Sequence, residues 1–241
     1  MAQVKDTPIA FSVWGTPVKV NPAILANLLG LWALLSWLAG RHRPERPWFL
    51  RVEIGFLSTV ALLIADLGHA MAHIISARHA GAPMDEIQIS AGMPRTIYFD
   101  NEVPPSVHRL RASGGPVYSA LGLLTSLGLR ALSPSGSALR EVADWSCLGH
   151  GFIFLGSLVP LPFVDGGTLV KWTLVEQGRT PSEADEAVRQ VDLALGLSAT
   201  ATGLALAAAG RRRSGRQRWL PALGLIAGGA VAILAALDKI R

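Results

Sequence analysis

Residues 54–75 read I-G-F-L-S-T-V-A-L-L-I-A-D-L-G-H-A-M-A-H-I-I, an apolar run in which Asp66, His69 and His73 are the ionisable positions. A run of this length suits a helix crossing a hydrocarbon layer about 30 Å thick. Water does not solvate charge there, and an ionised side chain at mid-span costs about 2.5 to 3.5 kcal/mol. At 100° per residue, Asp66, His69 and His73 project within an arc of roughly 60° on one helix face. No Lys or Arg lies within the run to neutralise Asp66. Its partners are therefore the two histidines, a bound cation or groups on neighbouring spans. Three metal-ligand side chains on one stripe point to a metal or catalytic site. The simpler alternative is a buried Asp-His hydrogen-bond pair that locks two helices together.

Outward from this run, the 241 residues are 50% hydrophobic and 16% charged, too apolar for an ordinary soluble domain. The reading is an all-α polytopic membrane protein: one domain over 1–241, integral and multi-pass, in the cell membrane. About six transmembrane helices are expected, near 22–39, 54–77, 116–132, 145–163, 191–209 and 219–238, with a small membrane-surface β element. Trp145, Trp172 and Trp219 fall at span ends, where amphipathic rings anchor at headgroup level. The net charge of +5 and the Arg211–Arg218 run suit a loop against anionic lipid, so the lipid bilayer rather than nucleic acid is the expected partner. Loops 40–51 and 210–218 are densest in basic residues, which predicts that they are cytoplasmic. The N-terminal residues lack the pattern of a cleavable leader. Cys147 is the single cysteine and lies inside an expected span, excluding an intrachain disulfide or a Cys-rich zinc module.

Between the second and third spans lies a segment too long for a simple connection. Glu86–Ser90 alternates polar and apolar residues and Thr96–Phe99 is β-prone, with Gly92, Met93 and Pro94 between them, which predicts a hairpin. Phe11–Val20 is expected to add a third strand, ending at Asn21-Pro22 where a helix starts. Thr180-Pro181-Ser182-Glu183 is a capping-box pattern opening a polar lead-in to the fifth span. Gly224 and Gly228 form a small-xxx-small face suited to close helix packing. Residues 157–167 read S-L-V-P-L-P-F-V-D-G-G, so Asp165 ends a span that Pro160 and Pro162 distort. Irregular backbone at membrane depth is tolerated where protein buries it or where it lines a wet cavity, and an acid followed by two glycines suits a ligand site there.

At this point the chain resembles the site-2 proteases, intramembrane zinc metallopeptidases with an H-E-x-x-H helix and a later N-L-L-P-x-P-P-L-D-G-G-like segment. Gly15-Thr16-Pro17-Val18-Lys19-Val20-Asn21-Pro22 resembles the family's opening strand. Gly68-His69 is similar to the end of its metal motif, and Ala112-Ser113-Gly114-Gly115-Pro116 resembles the Gly-Pro start of its next span. Asp165-Gly166-Gly167 matches without a gap. The order and spacing of these segments, more than any one of them, carry the resemblance.

The same alignment sets Ala65 where the first zinc histidine belongs and Asp66 where the catalytic Glu belongs. Ser157 replaces the family's Asn, and Asn21 replaces a His common in its opening motif. The resemblance implies zinc, with His69, His73 and Asp165 as candidate ligands and Asp66 as candidate base or fourth ligand. His73 would supply the lost ligand, moving the metal roughly 6 Å along the helix. The implied function is a site-2-protease-like membrane zinc metallopeptidase with an altered site and weak or lost activity, acting on a transmembrane segment of a membrane protein. The rivals are an inactive pseudoprotease serving as scaffold or regulator, and a non-proteolytic metal-binding membrane protein whose two Asp and two His close all four positions.

Overall fold

The computed structural model describes residues 9–90, 94–210 and 219–237. It divides into two compact units, Met1–Ser157 and Leu158–Arg241.

The first unit runs β1 (Ile9–Val13), β2 (Thr16–Val20), α1 (Ile24–His42), α2 (Trp48–His79), β3 (Glu86–Ile89), β4 (Arg95–Ile97), α3 (Pro105–Leu132) and α4 (Ala138–Ser157). Its sheet has the order β1-β2-β3-β4. The single strand expected over Phe11–Val20 is in fact two. Trp14 (φ 47°) and Gly15 (φ 78°) both turn left-handed, and such a two-residue turn matches the twist of the strands it joins. The expected hairpin is present as antiparallel β3 and β4, though residues 91–93 of its turn lie outside the described residues. β2 runs parallel to β3, with Val18 opposite Ile87 and Val20 opposite Ile89. Asn21 starts the descent into α1 by accepting the Ala23 N–H at 2.9 Å.

One face of α2 makes the core under this sheet. Ala70, Ile74 and Ala77, at i, i+4 and i+7, pack with Val18, Met84, Ile87 and Ile89. His69, His73 and Ser76 each precede one of these residues, so they lie on the adjoining stripe, and their hydrogen bonds run to α3.

α3 starts well before the expected third span, at Pro105 in the first turn, and holds Pro116 in its interior. Its polar opening turns are held from outside the helix. Arg111, 5% exposed, donates from Nε to Ala82 O (2.9 Å) and from Nη1 to Asp100 O (3.0 Å), and stacks on Tyr98. α4 ends at Ser157, ahead of Pro160 and Pro162.

The second unit holds α5 (Asp165–Glu176), α6 (Pro181–Gly210) and α7 (Trp219–Ala236). The predicted capping box forms: Thr180 N–H and hydroxyl donate to Glu183 Oε2, and Glu183 N–H donates back to Thr180 Oγ1. Close packing of α6 on α7 uses glycines other than the expected pair. A Cβ at Gly196 or Gly229 would stand 2.8 or 2.6 Å from the facing carbonyl, whereas one at Gly224 or Gly228 meets no atom within 4 Å. Those two glycines face away from α6. The Arg211–Arg218 run lies outside the described residues.

Among the described residues, three helices are long and apolar enough to cross a membrane: Ile24–His42, Trp48–His79 and Pro181–Ala209. Pro221–Ala236 is a shorter apolar helix.

Candidate metal centre

The His pair sits on α2 where α3 comes closest. A Cβ on Gly115 would stand 2.4 Å from Nε2 of both His69 and His73, so the absent side chain is the space the imidazoles occupy. Gly68 and Gly114 admit Tyr118 and Ser76 in the same way. Together these glycines let α2 and α3 approach while keeping polar groups between them.

The hydrogen bonds fix which ring nitrogen faces inward. His73 Nδ1 lies 2.8 Å from the Arg111 carbonyl oxygen. A carbonyl only accepts, so Nδ1 carries the proton and Nε2 presents a lone pair. His69 Nδ1 lies 3.0 Å from Ser119 Oγ, which turns its Nε2 toward the same point. The two Nε2 atoms are 3.4 Å apart. An N–H···N bond at that separation is long and weak. Two nitrogens bonded tetrahedrally to zinc at about 2.0–2.1 Å, by contrast, stand about 3.3–3.4 Å apart. The pair therefore fits two neighbouring ligand positions of a zinc ion, and a backbone carbonyl behind a ligating histidine is the usual support for one.

Asp66 lies one turn before His69, half-buried. Its carboxylate accepts no hydrogen bond among the described residues. Ala65 is fully buried, and its Cβ is 3.4 Å from where Gly149 of α4 would carry a Cβ. The position of the family's first histidine is thus filled by helix packing. An imidazole added there would have to enter a buried position against α4.

Asp165, in the second unit, is the first residue of α5. The segment before it folds back over the helix start, with Val164 N–H donating to Leu161 O. A Cβ on Gly166 would lie 2.4 Å from Leu158 O, and one on Gly167 would lie 2.0 Å from Leu161 O. The Asp-Gly-Gly run is explained locally: the turn that aims Asp165 leaves no room for two side chains.

Reading the sequence singles out both histidines and both acids, and the structure brings His69 and His73 together. It leaves out three supporting parts: Ser119, the Arg111 carbonyl, and Gly115 as the floor under both rings. The doublet Gly114-Gly115 ahead of Pro116 was their visible trace.

No protein-family model matches the chain. In two strains of Mycobacterium tuberculosis the chain is similar to Rip3, whose name describes a zinc metalloprotease, at 28% identity over 204 residues. The match takes in 78% of this chain and 51% of Rip3, so the chain spans about half the length of the curated relatives it matches. Among solved structures, the site-2 protease from Methanocaldococcus jannaschii superposes with a TM-score of 0.53 at 14% identity, covering 96% of this chain and 94% of that one. At that identity the likeness speaks for the fold.

Proposed function

We propose, from the premise that this chain is a site-2-protease relative in sequence and fold, that it is a multi-pass membrane protein of the cell membrane holding zinc one helical turn beyond the family's usual place. In this reading α1, α2, α3, α4, α6 and α7 are the six spans. His69 and His73 are two ligands, and Asp165 is the third, assigned from its Asp-Gly-Gly context. The single observation that carries the reading is the 3.4 Å spacing of the two Nε2 atoms, with both Nδ1 atoms engaged behind them.

Zinc bound there would act as a Lewis acid and make a water nucleophilic at neutral pH. The chain's own residues set the rest. The Arg111 carbonyl holds His73 in one tautomer, and Ser119 fixes the orientation of the His69 ring. Asp66 is the candidate proton acceptor, one turn away on the same helix and with no hydrogen bond to its carboxylate among the described residues. Being shorter than Glu, and a helical turn back from the shifted metal, it is displaced from the family's base position by more than the ~1 Å that already costs on the order of 100-fold in rate. Peptide-bond cleavage in a partner's transmembrane segment is therefore slow or lost. The burial of Ala65 against Gly149 favours the pseudoprotease form of this reading, in which the partner helix is held without turnover.

Metal analysis of detergent-purified protein tests it. The parent is expected to carry about one zinc per chain, and His69→Ala, His73→Ala and Asp165→Asn to lose most of it. A His73→Ala variant with the parent's zinc content removes His73 from the ligand set. Strong zinc-dependent cleavage of a model transmembrane substrate, abolished by Asp66→Asn, overturns loss of activity and makes Asp66 the working base.

A further inference from the structure

The loops joining α1 to α2 and α3 to α4 meet at one end of the first unit around a cavity of about 360 Å³. Arg43, Arg46 and Arg140 line it together with Glu141 and Asp144. Their ion pairs leave cationic capacity over. Arg46 is committed to Glu141, Nη1 to Oε2 at 2.5 Å. Arg130, beside the cavity, takes Asp144 Oδ1 at 2.5 Å, and Arg140 Nε stands 3.8 Å from that same oxygen, beyond a hydrogen bond. Arg43 reaches Glu45 only at 3.9 Å. Four guanidiniums thus face three carboxylates, an excess of one positive charge, and neither Arg43 nor Arg140 holds a carboxylate within hydrogen-bond distance.

The seat of Arg43 is built into the loop. Gly136 has φ +81°, and a Cβ there would stand 2.2 Å from Arg43 Nη2, so only glycine lets the guanidinium lie over this turn. On the other side, Trp145 and Leu148 carry the lining onto α4. Leu148, Phe152 and Leu155, at i, i+4 and i+7, continue one outward stripe with exposures of 57%, 75% and 67%. A cationic cavity at a helix end, opening onto an apolar stripe along that helix, has the shape of an amphiphile with an anionic head. Guanidinium groups suit phosphate through paired N–H donors.

We infer that this cavity binds the phosphate of an anionic phospholipid, with an acyl chain laid along Leu148, Phe152 and Leu155. Basic pockets at the ends of membrane helices hold such headgroups, and loop 40–51 is one of the chain's two basic-rich loops, the side facing the anionic leaflet. The site lies apart from the His pair and does not depend on metal there.

The test uses the full chain reconstituted in vesicles of phosphatidylglycerol and phosphatidylcholine, then released into detergent for native mass spectrometry of the lipid that stays bound. The parent is expected to retain phosphatidylglycerol in clear excess of the supplied ratio. Arg43→Gln is expected to lower that enrichment about fivefold, the effect of one basic residue at a charged membrane surface. Arg43→Lys is expected to fall between, and Arg179→Gln, on an exposed loop elsewhere, to match the parent. Arg43 is 46% exposed, so its replacement leaves the fold intact, whereas Arg140 also caps α3 through Arg130 O and Ser133 O and is kept for a second arm. Equal enrichment in Arg43→Gln and the parent overturns the site. Displacement of the lipid by millimolar inorganic phosphate, or phosphate binding without lipid enrichment, reassigns the cavity to free phosphate and overturns the lipid.

Discussion

Two helix interfaces in this molecule are made close by glycine, and they use the space differently. Between α2 and α3, the missing Cβ of Gly68, Gly114 and Gly115 is replaced by side-chain atoms of Tyr118, Ser76, and His69 with His73. Between α6 and α7, a Cβ at Gly196, Gly203 or Gly229 would meet the carbonyl of Gly229, Ala222 or Gly196 within 2.8 Å, and at Gly229 the Thr200 hydroxyl as well. The first interface trades van der Waals contact for room to store polar groups. The second brings two backbones together and holds no ionisable or ligating side chain at these three glycines. Small residues in apolar helices thus mark close approach, and what fills the gap decides whether the approach serves chemistry or packing.

The largest expected effect comes from reversing this at one atom. Gly115→Ala puts a methyl where both Nε2 atoms lie. Imidazoles can rotate aside, so zinc content should fall at least tenfold while the thermal transition moves little, read by metal analysis and by helical signal on heating. Gly229→Ala should do the reverse, because the Gly196 carbonyl and Thr200 N–H cannot rotate away. A loss of about 1–3 kcal/mol, the usual cost of overpacking, is expected with zinc unchanged. If both variants lose stability alike and neither loses metal, the contrast between the interfaces is gone.

Ala65→His sharpens the same comparison at α4. Five added ring atoms must enter a fully buried position against Gly149. We expect about 1–3 kcal/mol of destabilisation and no gain in cleavage. Even Ala65→His with Asp66→Glu, which restores the family motif in sequence, should stay inactive unless α4 shifts. Robust cleavage by that double variant on a parent-like melting curve would show that the packing yields.

A smaller effect is expected from Arg111→Met. The Arg111 carbonyl remains, but the guanidinium ties to Ala82 O and Asp100 O that steady it are lost. Losing support behind a ligating histidine typically costs about 10–100-fold in metal affinity, and the low end applies because the carbonyl itself stays. Cobalt substituted for zinc should show an altered absorption band in this variant, a change that mere destabilisation does not produce.

The smallest concerns the sheet. Glu86 is buried and pairs with Lys19 at 2.6 Å, and the Lys19 ammonium holds its carboxyl below the ordinary 4.5. A depressed value means that the stabilisation is fully present above 4.5 and is lost as pH falls through the lower folded value. The melting temperature of the parent should exceed that of Glu86→Gln at neutral pH, and the gap should close on acidification below 4.5. A gap that widens in acid would reverse the sign and remove the pair as its cause.

Local chemistry made much of this legible in the sequence. The period of Asp66, His69 and His73, the Thr180–Glu183 box and the β3–β4 hairpin each depend on residues within a few positions of one another. What escaped depends on distant partners. Nothing near Gly224 says that α7 turns Gly229 toward α6 instead, and nothing near Ala65 says that Gly149 closes on it. The early start of α3 is of the same kind, since its polar first turns are held by Ala82 O and Asp100 O through Arg111. Trp14 is a different miss: a bulky residue at φ 47° is uncommon, and strand propensity on both sides concealed the turn.

The parallel pairing of β2 with β3 bears on the order of assembly. A parallel pair cannot be closed by a tight turn, and here the crossover is the whole α1–α2 hairpin. The two strands therefore meet only after both helices have been threaded and returned to the same side. Contacts of such long sequence separation form late. Ile74 and Ala77 gain their partners Val18 and Ile87 at that step, on the helix that carries His69 and His73. Closing the β2–β3 pair thus also sets the rotation of α2 that turns His69 and His73 toward α3.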